Sequence, residues 1–236
     1  PLDEKLGCLQ AAGADVAVVV ESRPAFFSCP AETFIEDIIV RRFHPIAMVE
    51  GASFRFGLHR RGDVETLREA GRTFGFDVQV VPPVRVDLGG HPDTVISSSL
   101  VRHLIGSGTV DRAALCLGRP YALFGRVKHG AARGRTLGFA TANLAVHAGQ
   151  LVPAEGVYAG QATIDSQLHA AAISIGRTPT FDGHETVVET HILDYTADLY
   201  DRPLRLEFTA WLRPQQKFDS PASLQRQIQA DIAQVR

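Results

Sequence analysis

A chain of 236 residues with 24 Lys and Arg against 26 Asp and Glu carries a formal charge of −2. At roughly 100–200 residues per domain this is one large domain or two small ones, and the near-neutral balance argues against a dedicated nucleic-acid binder, whose footprint is strongly basic. With 45% hydrophobic and 21% charged residues it is globular rather than disordered.

The first half alternates short β-branched runs with helical stripes. Residues 17–20 read as a buried strand, and residues 33–43 as a helix with Phe34, Ile35, Ile38 and Ile39 inward. Residues 46–49 form a second strand, residues 63–74 a helix with Val64, Leu67, Ala70 and Phe74 inward, and residues 76–81 a third strand. Strands alternating with helices imply βαβ units and a parallel sheet. A further helix starts at residues 97–99, whose hydroxyls suit an N-cap, and ends at Gly106-Ser107-Gly108. After Gly118 the runs 121–127, 157–164, 169–175, 186–193 and 204–211 are β-like with no intervening helices, which predicts an antiparallel sheet or barrel. Ser220 as N-cap and Pro221 at the first helical position open a last helix.

Cys8, Cys29 and Cys116 fit no CxxC or zinc spacing and read as reduced thiols of a cytoplasmic protein. No apolar run approaches the ~20 residues that span a bilayer. No signal peptide opens the chain, and a start at Pro1 without an initiator Met points to a processed chain or a fragment. Charge is uneven beyond the midpoint: residues 112–154 hold six basic residues and no acidic one, and residues 155–201 hold eight acidic residues and one basic, Arg177. Such a division suits a metal–polyphosphate site, and equally two solvated surfaces of opposite sign.

Three segments could carry chemistry. The run from Gly130 to Thr136 is Gly-rich and basic, but it has three residues between its glycines and an Arg where a P-loop needs four and a Lys. Its open backbone N–H groups could cradle phosphate, or it is a plain hairpin turn. Thr141 and Asn143, two apart on an extended chain, offer two neutral oxygens to a hard cation such as Mg²⁺, or form an ordinary turn. In residues 187–193, alternation puts Val188, Thr190 and Ile192 on one face and Glu189 with His191 on the other, where the carboxylate either sits at the rim in water, the commoner case, or faces a site.

The ordered motifs GRxLGFxTANL, IGRTPTF, VETHIL and LRPQQKFDS, with the terminal helix, resemble riboflavin kinase across residues 118–236. The first half, through residues 49–57 with Arg60-Arg61-Gly62-Asp63 and residues 95–102, resembles the bacterial bifunctional enzyme that joins this kinase to an FMN adenylyltransferase module. The resemblance implies two domains. Residues 1–117 are a partial, nucleotidyltransferase-like α/β domain with an incomplete parallel sheet, and residues 118–236 an antiparallel riboflavin-kinase-like β-barrel with a terminal helix. It implies transfer of the ATP γ-phosphate to riboflavin, giving FMN. Thr141 and Asn143 would ligate the Mg²⁺ of MgATP, and Gly130 and Arg135 would hold its phosphates. Glu189 would take the proton from the riboflavin 5′-hydroxyl, Asp194 and Tyr200 would lie near the adenine, and Arg213 and Phe218 near the isoalloxazine. A positioned hydroxyl, a base and charge neutralisation are what phosphoryl transfer needs.

Ala140 replaces a usual Pro of the family, Gln215 a common Glu and Thr178 a common Asn, and none of these removes a ligand. The family's HxGH motif, whose histidines serve the triphosphate at a helix N-terminus, does not occur in these residues, and Ser53 stands where an acidic or amide residue is usual. Ser98 and Arg102 remain of the second adenylyltransferase motif, so FAD synthesis is expected to be lost, and residues 97–99 read better as a helix cap. The alternative is a catalytically decayed flavin- or nucleotide-binding module with a regulatory role. An RNA-binding barrel is disfavoured by the lack of an aromatic–basic stacking platform. The expected partners are therefore ATP, riboflavin and FMN, with no nucleic acid and no membrane.

Overall fold

The computed structural model describes residues 1–21, 23–129, 138–180 and 183–236, with the backbone alone at 178–180 and 183–184. The chain forms two compact units, residues 6–85 and residues 1–5 with 86–236.

Helix α1 (Leu2–Ala11) buries no residue. In the unit formed by residues 6–85, a turn at Ala31–Thr33 runs on into α2 (Phe34–Phe43), wound as a π-helix with Ile35 and Ile39 buried. Strand β1 (Ala47–Gly51) is followed by α3 (Val64–Phe74) and β2 (Asp77–Val81), and β1 and β2 pair in parallel. This is the expected βαβ unit. Asp63 starts α3 by accepting the N–H groups of Thr66 at 3.0 Å and Glu65 at 3.1 Å. The Thr66 N–H first, then the Thr66 hydroxyl, hold the Asp63 carboxyl below the usual carboxylate range. Leu67 and Ala70 pack with Ile35, Ile39, Phe56 and Phe76 as a small core.

Two expectations fail in this unit. Residues 17–20 form no strand, and Val18, Val19 and Val20 are 60%, 58% and 51% exposed. β-branched residues favour a strand only where a neighbour takes up the backbone hydrogen bonds, and none of the described strands pairs with this run. Phe74 is also exposed rather than inward. Its turn packs through Gly71, where a Cβ would come within 2.4 Å of the Phe76 carbonyl oxygen.

Strands β3 (Arg85–Val86) and β4 (Thr94–Val95) form a short ribbon. Helix α4 (Ser98–Gly106) follows, capped by Ser97, whose hydroxyl accepts the Leu100 N–H at 3.2 Å. A short helix α5 (Val110–Leu117), which the sequence pattern did not signal, ends at left-handed Gly118. The strands β5 (Tyr121–Lys128), β6 (Ala142–Val146), β7 (Gly156–Ile164), β8 (Gln167–Thr180), β9 (Gly183–Ile192) and β10 (Pro203–Arg213) close into a barrel in the order β10-β5-β6-β9-β8-β7. Every pairing in it is antiparallel, as expected. Strand β6 is not among the β-like runs read from the sequence, where Thr141 and Asn143 lie on an extended chain or in a turn.

Leu123, Tyr158, Ile173, Leu206 and Phe208 are fully buried in the barrel core, and Val110 of α5 joins them. Burial raises the Tyr158 phenol above its ordinary pKa, and its hydroxyl donates to the Ala154 carbonyl at 2.5 Å. Where β7 crosses β10, a Cβ at Gly160 would lie 2.1 Å from the Glu207 carbonyl oxygen, so only glycine allows that approach. Helix α6 (Pro221–Val235) starts at its expected cap, with the Ser220 hydroxyl accepting the Ser223 N–H at 3.2 Å, and packs on β7 and β8.

Candidate active site

The register of the barrel places the chemistry. Lys128 on β5 lies opposite Asn143 on β6, Asn143 opposite Glu189 on β9, and Glu189 opposite Ser174 on β8. Ser174 lies opposite Val157 on β7, and Val157 opposite Arg213 on β10. Directly opposed residues share a face, and the neighbours of this row, among them Val127, Leu144, Val188 and Ile173, belong to the core. The row therefore runs along the outside of the barrel, with a cation at each end and Asn143, Glu189 and Ser174 between them. The sequence alternation had placed Glu189 and His191 on the face away from Val188 and Ile192, and both are half-buried there.

At the β6 end of the row lies a cavity of about 390 Å³, lined by Thr141, Asn143, Thr190, Asp198, Leu199 and Tyr200 among others. Asn143 is buried and Thr141 half-buried. Thr190 is 1% exposed, and its hydroxyl oxygen is buried with no hydrogen-bond partner. Leaving a buried hydroxyl unpaired costs about 1–3 kcal/mol, which suits a wall completed by a ligand. His191 Nδ1 lies 2.8 Å from the Ala140 carbonyl oxygen and fixes the approach to Thr141 from the β9 side. These are the contacts that the sequence reading missed. Thr190 and His191 sat inside a motif already singled out, but only the barrel register shows what they face.

The donor set fits a cation that arrives with its own anions. Thr141 and Asn143 supply neutral oxygens, and among the described residues no group of three or more His, Cys, Asp or Glu side chains could hold a metal alone. Mg²⁺ is commonly bound by one or two protein groups together with substrate phosphates, so such a site needs the polyphosphate to complete it.

The other expected residues are spread around this centre. Tyr200 lines the cavity and stacks on His129 with ring centroids 3.7 Å apart. Asp194, left-handed at φ 56, accepts from Arg236 at 3.0 Å beside the loop that lines the cavity. Arg213 pairs with Asp231 of α6 through Nε at 2.9 Å and Nη2 at 2.8 Å, and lies 5.8 Å from the centre of the Phe218 ring. Ser98 and Arg102 are exposed on α4, one turn apart, and the cap of that helix is Ser97. Gly130 and Arg135 lie outside the described residues, as does the Gly-rich run between them.

Comparison with known proteins identifies the family. A family model described as riboflavin kinase matches residues 117–236, and one described as FAD synthetase matches residues 1–99. A bifunctional riboflavin kinase/FMN adenylyltransferase of Haemophilus influenzae is 33% identical over 98% of this chain and 73% of its own length. That of Escherichia coli strain K12 is 35% identical over 98% of this chain and 72% of its own. The chain belongs to this bifunctional family. A crystal structure from Streptococcus pneumoniae described as a macrolide-efflux protein superimposes with a TM-score of 0.90 at 32% identity, covering 100% of this chain and 74% of that one. Among the described residues of this family member, no helix is long and apolar enough to cross a membrane.

Proposed function

We propose that this chain is an ATP:riboflavin 5′-phosphotransferase whose chemistry lies in residues 118–236, with residues 1–117 forming the adenylyltransferase part. The observation that carries the reading is that Asn143, which lines the cavity with Thr141, is paired directly with Glu189 on the next strand. In this reading Glu189 accepts the proton of the riboflavin 5′-hydroxyl as its oxygen forms a bond to the γ-phosphorus. The bond from that phosphorus to the bridging oxygen breaks, and ADP leaves. Thr141 and Asn143 hold the Mg²⁺ that accompanies ATP, which neutralises charge on the phosphates. Gly130 and Arg135 hold those phosphates, and Tyr200 and Asp194 border the adenine. The flavin ring lies at the far end of the row, against Phe218 and the Arg213 guanidinium that α6 fixes through Asp231. Ser98 and Arg102 belong to the adenylyltransferase part. The three cysteines, none of them in a disulfide, fit a cytoplasmic enzyme.

The test is Glu189→Gln, which keeps the shape but cannot accept a proton. FMN formation from riboflavin and MgATP should fall by about 10²–10⁴-fold in kcat, the usual worth of a general base, with riboflavin binding nearly unchanged. Turnover at the wild-type rate would make Glu189 a structural residue of the rim.

A further inference from the structure

We infer that Ser174, held by Gln215, is a positioning pair for Glu189, an inference that rests on Glu189 being the base. Gln215 follows β10 and is exposed, yet its amide nitrogen reaches back across two strands. It donates to the Ser174 hydroxyl oxygen at 2.8 Å and to the Ile175 carbonyl at 2.9 Å, with the Gly156 carbonyl at 3.4 Å. An amide nitrogen has two protons, and the two shorter contacts take them. Gln215 thus bonds to the β8 backbone on one side of the ladder and to a β8 side chain on its outer face.

The consequence lies in what Ser174 has left. A hydroxyl that accepts from an amide still has its own proton to give, and accepting polarises that O–H. Ser174 is directly opposite Glu189 in the β8–β9 ladder, where paired Cβ atoms lie ≈ 4.5–5.5 Å apart. The only carboxylate in the outward row is therefore flanked by the Asn143 amide on β6 and by a hydroxyl on β8 whose rotation Gln215 restricts. A base works only within hydrogen-bond reach of the proton it takes. A donor on the β8 side would turn the carboxylate so that one oxygen is engaged by Ser174 and the other is left for the Asn143 side of the row. Gln215 acts through Ser174 and touches no substrate.

The test is a double-mutant cycle on the full chain with FMN formation as the readout. Ser174→Ala should lower kcat about 10-fold, the scale of one hydrogen bond to a charged group, with KM for ATP unchanged. Ser174→Thr, which keeps the hydroxyl, should restore most of that loss. Gln215→Leu should lower kcat less, and the double variant should be no slower than Ser174→Ala alone, because both act along one path. Additive losses, or Ser174→Thr as slow as Ser174→Ala, would reduce the pair to a structural tie between strands. Ser174→Ala at the wild-type rate while Glu189→Gln is impaired would overturn the positioning role and leave the base standing. An unimpaired Glu189→Gln would overturn the base itself.

Discussion

The two compact units treat similar sequence in opposite ways. In the barrel unit the β-like runs end up paired on both sides, and Leu123, Ile173, Leu206 and Phe208 reach zero exposure. In the unit of residues 6–85 the sheet has only β1 and β2 among the described strands, and the valine-rich run at 16–20 stands in solvent. The lesson is that hydrophobic periodicity reports a side chain's demand for burial, whereas a strand also needs a partner with matching hydrogen bonds. A closed barrel supplies that partner to each of its strands, leaving no edge. A two-stranded sheet cannot.

That contrast can be broken by substitution. Leu206→Ala removes a fully buried barrel side chain and should destabilise the chain by about 2–5 kcal/mol, measured by denaturant unfolding followed through the single Trp211. A loss under about 1 kcal/mol would mean that the barrel core is loosely packed. Asp63→Ala tests the smaller unit through pH. The Asp63 carboxyl is held low by its cap bonds, so its contribution is full above its unfolded pKa of about 3.9 and is lost as the pH falls through its lower folded value. Faster amide exchange in α3 of the variant should therefore be evident at neutral pH and should fade below about pH 4. A difference independent of pH would remove the charge from the explanation. The smallest effect belongs to Val18→Ser, which should stay within about ±0.5 kcal/mol, as for an ordinary surface change. A larger loss would show that this run is buried in solution.

Much of the site was legible because its residues lie close in sequence and share a strand period. Thr141 and Asn143 are two apart on one face, and Glu189 alternates with Val188 and Thr190, as read from the pattern. What stayed hidden depends on register between distant strands. Nothing local links Gln215 to Ser174, 41 positions away, or places Ser174 opposite Glu189. Helix α5 was missed because its eight residues, VDRAALCL, between Gly108 and Gly118 are too few to show a helical period. Its Val110 is nevertheless part of the barrel core, and the compact unit that holds the barrel includes residues 86–117 as well.

That the kinase chemistry needs only the unit that holds the barrel is the central claim, and producing residues 86–236 alone tests it most directly. The fragment keeps the barrel, α5 with Val110, and the row from Lys128 to Arg213. With riboflavin and MgATP it should form FMN at a kcat within about threefold of the full chain, since phosphoryl transfer draws on positioning within the barrel and little else. A fragment that shows the cooperative unfolding of a folded barrel, yet makes no FMN while the full chain does, would contradict the account.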